Sequence, residues 1–131
     1  LWINGDVVFD KHIFDKLQPL ITAKTSFVAV NTNKVGEEEV KYVLKDDHIN
    51  QLSKTVKNGA GEAVGINFIS SDDIPIFINR LEECDNNDYF ERGLELAINK
   101  DDLKIKAVDI SQYNCMEIDF IEDLENANNM L

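Results

Sequence analysis

Apolar residues change their spacing repeatedly along the chain, and each change marks an element. Leu1-Trp2-Ile3 is a short apolar run ending at the turn-forming Asn4-Gly5-Asp6, and it reads as a buried strand. Ile13, Phe14, Leu17, Leu20 and Ile21 then recur at helical spacing behind Asp10, which stands where an N-cap belongs. Pro19 falls in the last turns of that helix and weakens them. Thr25–Thr32 is rich in β-branched residues and predicts a strand. Alternation through Val40, Tyr42 and Leu44, and again through Ile49 and Leu52, predicts a hairpin of 40–45 and 48–55 across Asp46-Asp47, with a slip of one residue in the second run. Lys57-Asn58-Gly59-Ala60-Gly61 is a turn, and Ala63–Ile69 returns to a strand with Val64, Ile66 and Phe68 on one face.

In the second half the helical period dominates. Ser70-Ser71-Asp72-Asp73 supplies N-caps, and Pro75 suits a first turn. Ile74, Phe77, Ile78 and Leu81 follow at the spacing of an amphipathic helix. Asp85-Asn86-Asn87 breaks it, and Tyr89–Ile98 begins another helix that ends near Asn99-Lys100. Lys104–Ile110 alternates as a strand, Cys115–Ile118 is a short extended run, and Asp119 opens a last helix through Ile121, Leu124, Ala127 and Leu131. Strands and helices interleave around a central hairpin. The fold class is therefore α/β, a mixed β-sheet flanked by helices, in one domain over 1–131. Because Leu1-Trp2-Ile3 enters a strand without a polar lead-in, the sequence reads as the C-terminal part of a longer chain.

Composition narrows the function classes. Apolar residues make up 44% of the 131 and charged residues 29%, a globular balance. Thirteen Lys and Arg against twenty-five Asp and Glu leave a net charge of −12. Such a surface repels phosphate backbones, so nucleic acid is not an expected partner, although carboxylates attract Mg²⁺ and with it a nucleotide. No apolar run approaches the roughly 20 residues of a membrane-spanning helix, and the N-terminus lacks the pattern of a signal peptide. Cys84 and Cys115 lie in no metal-ligand spacing and read as reduced thiols of a cytoplasmic protein.

A few residues can carry chemistry. Asp6 stands at the carboxyl end of the first strand, where open α/β sheets bind ligands, and Asp119 stands at a second strand-to-helix junction. Two carboxylates at two strand ends of one sheet can share a Mg²⁺; equally, Asp6 can close a turn and Asp119 can cap its helix. Lys54 and Lys57 flank a glycine-containing loop able to hold a phosphate or simply to be solvated. Glu62 and Gly65 lie on the strand that follows. Glu117 reads as exposed on an edge strand, and Glu37-Glu38-Glu39 as a solvated turn. His12 and His48 have no ligand spacing, and Trp2, Tyr42, Tyr89 and Tyr113 read as core or rim. No nucleophile motif is present.

Four segments in order are more specific: Asn4-Gly5-Asp6-Val7-Val8-Phe9-Asp10, Gly61-Glu62-Ala63-Val64-Gly65-Ile66, Tyr89-Phe90-Glu91-Arg92-Gly93-Leu94 and Glu117-Ile118-Asp119-Phe120-Ile121-Glu122-Asp123-Leu124. Together they resemble the C-terminal part of a Rossmann-like nucleotidyltransferase domain of the sugar-phosphate and choline-phosphate type, closest to the phosphocholine cytidylyltransferases. The resemblance implies transfer of a nucleoside monophosphate, CMP by that branch, from a nucleoside triphosphate to a phosphorylated acceptor such as phosphocholine or a sugar phosphate, with release of pyrophosphate. It implies Mg²⁺ on Asp6 and Asp119, a substrate-phosphate contact at Lys54, and acceptor binding at Glu62 and Gly65. The usual Glu-Lys-Pro context of the lysine is Ser53-Lys54-Thr55 here. The family's glycine-rich nucleotide loop, with its Arg and Lys, is not in the sequence. The chain alone is therefore expected to be inactive and to contribute the acceptor- and metal-binding portion. The competing expectation is a non-catalytic acidic interaction or oligomerisation module, with homodimers formed through an unpaired strand edge.

Overall fold

The structure, a computed structural model, describes residues 1–130. In chain order its elements are β1 (Trp2–Ile3), β2 (Val7–Phe9), α1 (Ile13–Thr22), β3 (Phe27–Asn31), β4 (Lys41–Lys45), β5 (His48–Ser53), β6 (Gly61–Phe68), α2 (Ile74–Glu82), α3 (Phe90–Asp101), β7 (Lys106–Asp109), β8 (Cys115–Glu117) and α4 (Ile121–Met130). Six strands form one sheet in the order β5-β4-β6-β3-β7, with β1 also on β6. All its pairings are antiparallel except β3 with β7, so the α/β mixed sheet expected from the sequence is the observed one.

β6 is the spine of the sheet. β3 runs along one edge, while the other is shared by β4, at Gly61 and Glu62, and β1, at Ile66 and Asn67. The register on β3 shifts between Val28 and Val30, because β6 bulges around Gly65. Gly65 has φ +79°, and a Cβ there would stand 2.8 Å from Asn4 Nδ2 and 3.0 Å from Val7 Cγ2. Only glycine fits both the backbone angle and the approach.

Helices cover both faces, and the period of two along β3 sorts its side chains between them. Phe27 and Ala29 join Val64, Ile66, Val108 and Ile110 beneath Ile13 and Leu17 of α1. Val28 and Val30 join Tyr42, Ile49 and Leu52 beneath Phe77 of α2 and Leu94 and Ala97 of α3. Val64, Ile66 and Phe68 share a face as expected. The hairpin turns at Asp46 and Asp47, with φ of 51° and 66°, the left-handed pair that a tight two-residue turn demands. The expected slip is the register shift between Val43 and Leu44.

Other expectations change. α1 begins at Ile13 rather than directly behind Asp10. Asp10 instead closes the preceding turn, its carboxylate accepting from His12 N at 2.9 Å and its carbonyl from Ile13 N at 3.0 Å. Pro19 is accommodated inside α1, which continues to Thr22. Ile74 and Ile78 of α2 face solvent, because the helix rests on the core through Ile76, Phe77 and Leu81. On α4 only Ala127 is buried, while Ile121 and Leu124 are exposed; Leu131 lies outside the described residues. Residues 7–9, for which the sequence pattern predicts no element, form β2 with β8 as their partner. Cys84 and Cys115 form no disulfide. No helix among the described residues is long and apolar enough to cross a membrane.

Candidate metal and acceptor site

The site is assembled where β1 leaves the sheet. Asn4 N donates to Gly65 O at 2.9 Å, and Val7 N to Asn4 O at 3.3 Å, so the chain turns tightly over the bulge of β6. β2 then pairs antiparallel with β8, Val7 opposite Glu117 and Phe9 opposite Cys115. One further ladder bond, Ile118 N to Asp6 O at 2.8 Å, sets Asp6 beside the end of β8. Asp6 and Asp119 are thus joined by a two-stranded ribbon separate from the main sheet, which corrects the expectation that both stand at strand ends of a single sheet.

Asp119 does not cap α4. The carboxylate of Asp123 reaches back and accepts from Phe120 N at 2.9 Å and from Asp119 N at 3.1 Å. This satisfies the two N–H groups just ahead of the helix and leaves the Asp119 side chain available. It meets Asp6 and Glu117: one carboxylate oxygen from each lies within 4.8 Å of the others. Octahedral Mg²⁺ with bonds of about 2.1 Å separates its ligands by about 3 to 4 Å, so a small contraction suits the trio to that ion. Burial, followed by Glu39, Asp6, Asp119 and Glu62, pushes the Glu117 carboxyl up to about 7. Burial first, and then the neighbouring carboxylates, disfavour the charged form of Glu117, and a divalent cation bound there would favour it. Glu117, read from the sequence as an exposed edge residue, is instead half-buried in the centre of the site.

A second acidic layer stands across from the trio. Glu39 faces Glu62 and Asp119, and burial and these charges raise its carboxyl from the ordinary range. The loop carrying it is held by the buried Lys41, whose Nζ donates to the carbonyls of Gly36, Glu37 and Glu39 at 3.0–3.3 Å and of Lys54 at 2.6 Å. Four carbonyls around one ammonium hold 36–39 as a wall of the site; Glu37 and Glu38 are exposed in a turn, as expected, while Glu39 is half-buried. Glu62 is drawn into this wall, its Oε2 accepting from Gly36 N at 3.2 Å.

Two cavities share Glu39, Ala63, Glu117 and Asp119. The larger, about 460 Å³, is also lined by Asp6, Lys54, Gly65, Tyr89 and Glu91. The other, about 310 Å³, is lined by Glu62, Asn31, Lys34 and Phe120. The structure therefore brings Asp6, Lys54, Gly65 and Asp119 to one cavity and places Glu62 in its neighbour. Lys57 lines neither. Lys54 Nζ lies over the Tyr89 ring, 4.8 Å from its centroid. Of the four aromatic candidates only Tyr89 reaches the cavity: Trp2 stacks on Phe77 and meets Phe90 edge-on, Tyr42 is core, and Tyr113 packs beneath α1.

Sequence reasoning passed over Glu39, Glu117 and Glu91. The one signal for Glu117 was its place two residues before Asp119, on a segment whose partner strand was not recognised. Nothing local marked Glu39, which three consecutive glutamates disguise.

No family model and no curated protein matches the chain. Among solved structures it is similar to the inositol-1-phosphate CTP transferase from T. maritima, with TM-score 0.71 and 16% identity over 96% of this chain and 52% of that one. It is likewise similar to a structure from Bacillus anthracis, assigned as a glucose-1-phosphate thymidylyltransferase and solved in complex with a sucrose, with TM-score 0.66 and 14% identity over 98% of this chain and 52% of that one. The fold is the one found in these nucleotidyltransferases, and the chain spans about half the length of each.

Proposed function

We propose that this chain supplies the metal- and acceptor-binding portion of a nucleotidyltransferase. The whole protein would transfer a nucleoside monophosphate, CMP on the sequence resemblance, from a nucleoside triphosphate to a phosphorylated acceptor such as phosphocholine or a sugar phosphate. The observation that carries the reading is the convergence of Asp6, Glu117 and Asp119 at the edge of a cavity that also holds Lys54. Neither a turn residue nor a helix cap needs that convergence. The shared fold adds to it.

In the proposed reaction an oxygen of the acceptor phosphate attacks the α-phosphorus of the triphosphate. A new P–O bond forms as the bond to the β-phosphate breaks, and pyrophosphate leaves with the electron pair. Mg²⁺, when bound, neutralises phosphate charge. The chain's own residues hold and orient: Asp6, Glu117 and Asp119 provide the ion's carboxylates, Lys54 meets the acceptor phosphate, and Glu62 and the strand at Gly65 border the acceptor. Positioning and charge neutralisation are what such a transfer asks of a protein. Facing this cavity's carboxylates, a triphosphate needs more positive charge than Lys54 supplies, so the chain alone is expected not to turn it over.

The test is calorimetric titration with Mg²⁺, followed by pyrophosphate-release assays on the longest natural form of the protein with each nucleotide and acceptor class. Asp6→Asn and Asp119→Asn should each weaken Mg²⁺ binding at least tenfold. Metal binding untouched by either substitution would sink the reading. A non-catalytic interaction module is the second reading, favoured by Phe120, Ile121 and Leu124, which are 72%, 75% and 49% exposed on one end of α4. It predicts self-association without any response to Mg²⁺.

A further inference from the structure

Lys41 is the only charged side chain among the buried residues described. The chain carries twenty-five acids, yet among the described residues Lys41 forms an ion pair with none of them. Burying an ammonium is costly unless its protons are taken up. Here its three N–H donors are shared among backbone carbonyls alone: Lys54 O at 2.6 Å, Glu37 O at 3.0 Å, Glu39 O at 3.1 Å and Gly36 O at 3.3 Å. Three of these bonds hold the loop 36–39. The fourth and shortest goes to the residue directly after β5.

The place of Lys41 in the sheet lets it reach both segments. In β4 it pairs with Ser53 on one side and with Glu62 on the other. It stands between the strand that ends beside Lys54 and the strand that borders the acceptor. Neither 36–39 nor Lys54 belongs to a strand or helix, so no ladder fixes one against the other. Both nevertheless line the cavity that holds Asp6, Glu117 and Asp119, the loop through Glu38 and Glu39. We propose that Lys41 is a positioning residue for the transfer reaction: its ammonium ties the loop of Glu39 to the backbone of Lys54 and so sets the acceptor-phosphate contact relative to the metal carboxylates. The proposal rests on the nucleotidyl-transfer reading and deepens it. Lys41 acts through Lys54, whose long side chain is placed only as well as the backbone it leaves from. The metal carboxylates are carried separately, on the β2–β8 ribbon and the turn after it, so phosphate and metal binding depend on Lys41 unequally.

The test is an NMR titration of the Mg²⁺-loaded chain with inorganic phosphate, the probe for the Lys54 end. In the wild-type chain phosphate should shift the amides of Glu37 to Val40 together with that of Lys54, because one ammonium joins the two segments. A shift at Lys54 without the loop, or no phosphate binding at all, overturns the proposal, and this readout needs no substitution. Lys41→Met keeps the apolar stem and removes the ammonium. It should weaken phosphate about tenfold or more while leaving Mg²⁺ affinity nearly unchanged. A lysine with a merely structural role would lower the urea midpoint without separating the two affinities. Lys54→Met closes a double-mutant cycle: in its background Lys41→Met should cost phosphate binding nothing further, whereas additive losses would show that Lys41 does not act through Lys54. Mg²⁺ binding with phosphate affinity untouched by Lys41→Met removes the positioning role alone. Absence of Mg²⁺ binding by the wild-type chain removes the transfer reading on which it stands.

Discussion

Glu117 and Asp123 show how much a single carboxylate's environment decides. Glu117 takes up its proton more readily folded than unfolded, its value rising from the ordinary 4.5 to about 7. Its contribution to stability is therefore complete below about 4.5 and is lost as pH rises through about 7. In metal-free protein, Glu117→Gln should flatten the decline of stability across that interval, read from urea midpoints at several pH values. A decline of equal slope in the variant would show that the clustered charges do not act through this residue. Asp123 has the opposite assignment, since it caps α4 in place of Asp119. Asp123→Ala should cost about 1 kcal/mol of stability, whereas Asp119→Asn should cost little because it removes a like charge from the cluster. Chemical denaturation of the two variants side by side checks this. The sequence pattern places an acidic residue at the head of α4 but not which of two acids turns inward, because that depends on β8 pairing with a strand 110 positions upstream.

At the scale of elements, the bulge of β6 and the β2–β8 ribbon are one device. The bulge lets Asn4 and Val7 approach the sheet at Gly65, and the ribbon carries the chain from there to Glu117. Gly65→Ala forces a Cβ into a left-handed backbone position against Asn4 and Val7. The expected loss is about 1–3 kcal/mol, together with weaker Mg²⁺ binding, because Asp6 follows directly from the displaced turn. Denaturation and calorimetry on the one variant measure both; a stability loss with metal affinity intact would show that the turn does not position Asp6. The long periodic elements were legible in advance: β3, the hairpin and α3 each announce themselves in their own spacing. β2 was not, since three residues between Asp6 and Asp10 carry no period, and only a partner strand makes them extended. The solvent-facing side of α2 was misassigned for a related reason. Ile74 and Ile78 satisfy a helical stripe, but the sheet beneath accepts Ile76 instead.

For the whole molecule the governing fact is charge. A net −12 on 131 residues stores repulsion, and part of it is concentrated where Asp6, Glu39, Glu62, Glu117 and Asp119 gather. A divalent ion that binds only the folded state relieves this, so Mg²⁺ at a hundredfold excess over its Kd should stabilise the chain by about 2.7 kcal/mol. Thermal melts with and without the ion measure the effect, and Asp6→Asn should cut the stabilisation to about half or less at the same Mg²⁺ concentration. Hydropathic period and net charge are local or additive, and they were enough to set the α/β class, the order of the main elements and the overall acidity. The sequence also singled out Asp6 and Asp119 as carboxylates at ends of elements. Their convergence, the presence of Glu117 and Glu39 beside them, and the position of Tyr89 and Glu91 on the same cavity arise in the folded chain alone. Those outcomes rest on pairings between residues far apart in the chain, and the cost of closing such loops is recovered by side chains that no local pattern places together.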